Sequence, residues 1–211
     1  MLSDRTGPEP TVIRAADGSL VVYVELGPDG GSDLRQLIAD ARSSGIDSIW
    51  LKGHLPDSSL GFERVGGYAR LETARPLMRI ELPTPPPAQI RDLRITCFEG
   101  IWGHAEPANI DPSATFVGLD EAVGWLGICE VDMKQRRIID PAVRWGFRTP
   151  GRYARLVCGA CQRLGLGPIV LETRGNDDDT LAAYERLGFA LTEYTPGWQL
   201  NLKARSGPPR I

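Results

Sequence analysis

"TLAAYERLGF" (residues 180–189) ends one element and begins another. Leu181, Tyr184 and Leu187 recur at helical spacing, Gly188 is a stop, and Phe189 opens an apolar run. The same Leu-Gly-Phe occurs in "SLGFERVGGYARL" (59–71), with no helical pattern in front of it. Upstream of the later copy, "RYARLVCGACQRLG" (152–165) reads as a helix closed by Gly165 and "GPIVLET" (167–173) as a strand. Upstream of the earlier one, "DLRQLIADARSSG" (33–45) places Leu34, Leu37, Ile38 and Ala41 on one helical face and stops at Gly45, before the strand "IDSIWLKG" (46–53). Gly45 and Gly165 stand 120 positions apart, and at that offset Ile49, Trp50 and Leu51 fall on Ile169, Val170 and Leu171. Gly61 and Gly188 stand 127 apart, so the first copy is shorter by seven residues, about two helical turns. The pattern is that of a repeat whose first copy, 19–82, is truncated.

The remaining elements fit this division. "SLVVYVEL" (19–26) is a strand broken by "GPDGGS" (27–32), and "GFERVGGYARLETA" reads as two short strands. "PTPPPA" (83–88) reads as a linker between a lobe over 1–82 and a domain over 89–205. In that domain "QIRDLRITCFEGIWGH" (89–104) holds a short helix. "ATFVGLDEA" (114–122) and "GWLGICEVDM" (124–133) are antiparallel strands, "KQRR" turns into the strand "IIDPAV" (138–143), and "FALTEY" and "WQLNL" close the chain as strands. Residues 1–10 are polar and expected to fray.

Composition sets the class. With 211 residues, 42% hydrophobic and 24% charged, the chain has the make-up of a soluble globular protein. No apolar run approaches the roughly 18 residues of a membrane span, and "MLSDRTGPEP" lacks a signal peptide's apolar stretch, so a cytoplasmic protein with no membrane partner is expected. A net charge of −3 gives no pull toward nucleic acid. Of the four cysteines, Cys97, Cys129, Cys158 and Cys161, the last two form Cys-Gly-Ala-Cys. With only His54 and His104 as histidines, they read as small apolar helix residues rather than metal ligands.

The loop "RWGFRTPG" (144–151) opens the helix from 152, and its chemistry suits a pyrophosphate. A helix N-terminus offers unpaired amides, Gly151 permits close backbone approach, and Arg144, Arg148 and Arg152 add positive charge. A solvated basic loop has the same composition.

Strand, basic glycine-containing loop, helix, strand, helix with Tyr-Glu-Arg-Leu-Gly-Phe, strand: this order resembles the GCN5-related N-acetyltransferase (GNAT) superfamily over residues 89–203. "VRWGFRTPGRYARLV" is similar to the family's acyl-CoA pyrophosphate loop and helix, and "TLAAYERLGF" to its closing helix. The resemblance implies an α/β fold, a central mixed and mostly antiparallel sheet flanked by helices, here preceded by a partial, degenerate copy as in tandem members. It implies acetyl-CoA as acyl donor and a small-molecule amine as acceptor. The donor would be held by Val143, Arg144, Arg148, Thr149, Gly151, Arg152, Tyr153 and Ala154, with Asn176 or Asp177 on the pantetheine arm; Asn176 is equally placed for a turn or cap. Two departures stand out: Tyr153 occupies a position the family keeps small, and Pro150 has no N–H to offer.

The family's chemistry asks for a base to deprotonate the amine and an acid for the leaving thiolate. Tyr184 matches the family's tyrosine acid, although its spacing also suits a core residue. For the base, Glu130 and Asp140 rank ahead of His104. The first-half counterpart of the loop, "VELGPDGGS" (24–32), carries Glu25 and Asp29 and no Arg or Lys, so it would repel a pyrophosphate. A non-catalytic acyl-CoA sensor is the competing expectation.

Overall fold

The computed structural model describes residues 10–15, 18–26, 33–55, 58–101 and 114–203; His104, Asp29 and residues 1–9 lie outside them. The described chain runs β1 (Thr11–Arg14), β2 (Leu20–Glu25), α1 (Leu34–Ser43), β3 (Ser48–Lys52), β4 (Glu63–Thr73) and α2 (Pro87–Phe98). It continues with β5 (Thr115–Glu121), β6 (Gly124–Asp132), β7 (Arg137–Val143), α3 (Pro150–Leu164), β8 (Ile169–Arg174), α4 (Asp178–Arg186) and β9 (Ala190–Asn201). All nine strands join one sheet in the order β1-β2-β3-β9-β4-β8-β7-β6-β5. The β2/β3 and β7/β8 pairs are parallel and the others antiparallel, giving a mixed, mostly antiparallel sheet.

The centre of that sheet interleaves strands from the two halves of the chain. β4 lies between β8 and β9, and β9 lies between β3 and β4. Outward from the β4/β9 pair, each side reads antiparallel and then parallel: β9–β3–β2 one way, β4–β8–β7 the other.

The helices begin where the sequence supplies caps. The Asp33 carboxylate accepts from the amides of Arg35 and Gln36 at α1, Thr149 Oγ1 accepts from Arg152 at α3, and Asp177 accepts from Thr180 at α4. Pro87 opens α2 and Pro150 opens α3, where a missing N–H costs nothing. Both Leu-Gly-Phe stops take the same form: Gly61 has φ +79° and Gly188 φ +90°, and the phenylalanines that follow are buried.

Strand alternation divides the core into layers. On β5, Val117 and Leu119 point into the cluster under α3 and α4, whereas Phe116 points into the cluster under α2. α1 covers Val22, Val24, Ile49 and Leu51, together with Trp198 and Leu200 of β9. All four cysteines are buried, and Cys158 and Cys161 pack in the α3 core. No helix among the described residues is long and apolar enough to cross a membrane.

Two expectations need correction. "GFERVGGYARLETA" is not two strands but one, β4, with a register shift between Arg64 and Gly67; Gly66, at φ +94°, absorbs the irregularity. "FALTEY" and "WQLNL" are likewise parts of one strand. Pro196, which donates no hydrogen bond, sits in β9 opposite Gly67, where the bulge already interrupts the ladder.

Candidate functional site

The site begins where two parallel strands part. β7 and β8 pair at Arg137–Val170, Ile138–Leu171 and Ile139–Glu172, and the register ends there. The next residue of β7, Asp140, has φ +45°, a left-handed conformation that Asp tolerates better than most side chains. Past the opening lies a cleft of about 270 Å³. Arg148, Thr149, Pro150 and Tyr153 line one side, and Gly175, Asn176, Asp177 and Thr180 the other. Val65 of β4 and Gln199 of β9 also reach it, as do Trp145 and the Gly100–Ile101 segment after α2.

Among the residues expected to hold the donor, Arg148, Thr149, Tyr153 and Asn176 line this cleft. Arg148 does so as a clamp. Its Nε donates to the carbonyl of Val143 at 2.9 Å, and its Nη2 donates to the carbonyls of Cys97 and Glu99. All three partners are uncharged oxygens. Burial pushes its pKa below the ordinary arginine value, against weaker opposition from Tyr153, Cys97 and Glu99. The result is a fixed, half-buried guanidinium to which no carboxylate among the described residues is hydrogen-bonded.

Arg152 is committed elsewhere. Its Nη2 donates to Glu121 at 2.8 Å and its Nη1 to the Phe147 carbonyl, while Arg155 shares the same Glu121. Thr149 takes the amides of Arg152 and Tyr153, and Pro150 has none, so the first turn of α3 is left with Gly151 as its donor. A Cβ built on Gly151 would meet nothing within 4 Å, so the backbone there is open to close approach. Val143 is fully buried, the Arg144 amide donates to Leu126, and Ala154 packs against the α3 core.

Asn176 is buried and donates to Thr173 and to the Arg174 carbonyl, holding the turn between β8 and α4. Burial raises the Tyr153 phenol above its ordinary value, with Arg148 pulling the other way.

The three residues expected to do chemistry sit apart from the cleft lining. Glu130 and Asp140 converge on a smaller cavity of about 20 Å³ on the α2 side, with Arg94 and Phe98. Glu130 pairs with Arg94 at 3.1 Å and Asp140 with Arg174 at 3.9 Å. Burial raises the Asp140 carboxyl above the usual range, with Arg174 and Arg94 opposing. Tyr184 is fully buried in the α3 core. Its hydroxyl faces Thr173 without completing a hydrogen bond of normal geometry, and burial holds its pKa well above the ordinary phenol value.

Sequence reasoning missed Val65 and Gln199, because their place depends on β4 and β9 crossing at the centre of the sheet. It also passed over Trp145, although that residue lies inside the quoted loop. Thr180 had a signal of its own: the Asp177 cap fixes the first turn of α4 beside the cleft.

No family model and no curated protein matches the sequence. Solved structures do match. One is a putative acetyltransferase from Pyrococcus horikoshii, at 14% identity over 92% of this chain and 69% of that one, with a TM-score of 0.54. A GCN5-related N-acetyltransferase from Kribbella flavida matches at 14% identity over 95% of this chain and 91% of that one, TM-score 0.50. A third, a GCN5-related N-acetyltransferase from Anabaena variabilis, matches at 11% identity and TM-score 0.50 over 92% of this chain, which spans 58% of the Anabaena protein's length. At these identities the likeness is one of fold: the chain has the architecture of the GCN5-related N-acetyltransferases.

Proposed function

We propose that the chain is an acyl-CoA-dependent N-acyltransferase that transfers an acetyl group to a small-molecule amine. The observation that carries this is Arg148: a guanidinium hydrogen-bonded, among the described residues, only to carbonyls, and fixed in the wall of a cleft that starts where β7 and β8 part. Preorganised positive charge of this kind attracts an anion without a reorganisation cost. The residues present fit the diphosphate of the donor through the Gly151 amide and the field of Arg148. Arg152 contributes less, because Glu121 offsets its charge.

In the transfer, the neutral amine nitrogen forms a bond to the thioester carbon, the carbon–sulfur bond breaks, and the amine's surplus proton passes to a carboxylate. Glu130 and Asp140 are the proposed acceptors of that proton and Tyr184 the proposed donor to the thiolate. The lobe over 1–82 and the domain over 89–205 are proposed as two copies of one unit, the first degenerate. The shared Leu-Gly-Phe stops and the matching strand order on either side of β4/β9 support this.

A second reading, an acyl-CoA sensor without turnover, is favoured by one observation: the Tyr184 hydroxyl is shut away from the cleft. Incubating the protein with acetyl-CoA and a panel of amines, and following free CoA with a thiol reagent, separates the two. Amine-dependent release supports the enzyme. Saturable binding by calorimetry without release on any amine supports the sensor, and no binding refutes both.

A further inference from the structure

Trp145 is an exposed aromatic where an exposed aromatic is least expected. It keeps 48% of its surface in solvent although it lines the cleft. It occupies the second position of a tight turn from Arg144 to Phe147, closed by the Phe147 amide on the Arg144 carbonyl at 3.0 Å. Gly146, with φ +82°, supplies the left-handed third position such a turn requires. The Arg148 guanidinium lies 4.9 Å from the indole centroid and covers one ring face, and Arg148 is itself held by three carbonyls. The indole is thus presented on a short turn and backed by a fixed cation, with about half of its surface in solvent. An aromatic held this way loses little conformational freedom when a planar ring stacks on it.

We propose that Trp145 is a stacking platform for the purine base of the nucleotide portion of acyl-CoA. The inference rests on the acyl-CoA reading and adds to it a residue that recognises the base. One short segment offers both a ring surface and a cation that, among the described residues, no carboxylate hydrogen-bonds, and a nucleotide is the ligand class that carries a planar base and phosphates on one compact frame. The Trp145–Arg148 stack also makes the two contacts interdependent, since the cation that draws the phosphates fixes the ring that meets the base. Stacking of a base on an aromatic side chain corresponds to roughly five- to hundredfold in affinity.

The test uses the full chain with acetyl-CoA, 3′,5′-ADP and S-acetylpantetheine as probes. Acetyl-CoA and 3′,5′-ADP are expected to quench tryptophan emission saturably in the wild-type protein, whereas S-acetylpantetheine, which has no base, is not. Trp145→Ala is expected to raise the calorimetric Kd for both nucleotides about five- to hundredfold. Trp145→Phe should lose the quench but recover most of the affinity, which a merely structural role would not produce. Trp145→Ala binding acetyl-CoA with the wild-type Kd overturns the platform and leaves the acyltransferase reading intact, as does equal quenching by S-acetylpantetheine. Trp145-dependent binding of 3′,5′-ADP with no turnover on any amine keeps the platform and removes the acyltransferase reading. A wild-type chain that binds neither nucleotide removes both. If Trp145→Ala fails to fold, quenching in Trp145→Phe decides: a quench that persists there comes from another tryptophan and overturns the assignment.

Discussion

Replacing Arg148 with methionine separates what this residue does for the fold from what it does for a ligand. The guanidinium ties three chain segments together, through the Val143 carbonyl at the end of β7, Cys97 in the last turn of α2 and Glu99 just beyond it. Carbonyls at a helix C-terminus lack intrahelical donors, and a cation there also meets the negative end of the helix dipole. Methionine keeps a long unbranched side chain and removes every donor and the charge. A protein hydrogen bond contributes about 0.5–1.5 kcal/mol net. Three such bonds, discounted because the half-buried site lets water replace part of them, give an expected loss of about 2–3 kcal/mol. For a chain of this size each kcal/mol moves the midpoint by roughly 2–4 °C, so a fall of about 4–12 °C is expected.

Calorimetry and urea denaturation measure this, with the urea slope unchanged if only stability has altered. Arg148→Lys should fall between the two, because a compact ammonium keeps the charge but cannot span three carbonyls. Acetyl-CoA affinity should order the same proteins differently, with Lys near wild type and Met far below it. A Met variant melting within about 1 °C of wild type would refute the clamp, since three lost bonds cannot be that cheap.

Tyr184→Phe removes a buried hydroxyl that completes no hydrogen bond, so stability in urea should hold or rise by up to about 1 kcal/mol while CoA release falls; a loss beyond that would mean the hydroxyl is bonded. Asp140→Asn follows from linkage: a carboxyl whose folded pKa is raised above its unfolded value lets stability fall as pH climbs through that interval. The asparagine variant should therefore gain melting temperature over wild type at pH 7–8 and gain less at pH 4, and a gain that is larger at pH 4 would reverse the sign of the reasoning. Gly66→Ala places a Cβ 2.9 Å from the Gly175 carbonyl carbon at φ +94°, whereas Gly45→Ala meets nothing within 4 Å at φ +72°. The first should cost about 1–3 kcal/mol more than the second and also weaken acetyl-CoA binding, because it pushes on the Gly175–Asn176 wall of the cleft; equal costs would dismiss the close approach.

Most elements were legible because they are written in local patterns. The α3 stripe, the glycine stops and the Asp177 cap act within a few residues of themselves. The cleft's loop was legible for the same reason, and Thr149 and Asn176 line the cleft. What a guanidinium bonds to is another matter. Arg148 and Arg152 sit four residues apart across the start of α3, yet one meets carbonyls of a distant helix end and the other a carboxylate on β5. Arg136, in a turn the sequence reads as plain, also donates to three carbonyls, those of Leu164, Leu166 and Pro168. Composition does not distinguish these arginines, because their partners are brought close only by the folded sheet. The same limit hid Val65 and Gln199.

The interleaved sheet also accounts for how the first half manages without a second helix. Between β3 and β4 the described residues hold only a 3₁₀ turn, Ser58–Leu60, where the second half has α4 between β8 and β9. Leu55, Leu60 and Phe62 lie against the α1 core, and so do Trp198 and Leu200, which belong to β9. The second half's last strand therefore supplies apolar surface to the first half's core. The exchange runs both ways, since Ala69 and Leu71 of β4 are buried in the core beneath α3 and α4. On the duplication reading, a helix could be lost from the first copy because its remaining core was already completed from outside, whereas α4 carries the cap, the turn and the Thr180 wall of the cleft. On that reading, loss is tolerable on the side where the helix only covers a core, and not on the side where it also shapes a site.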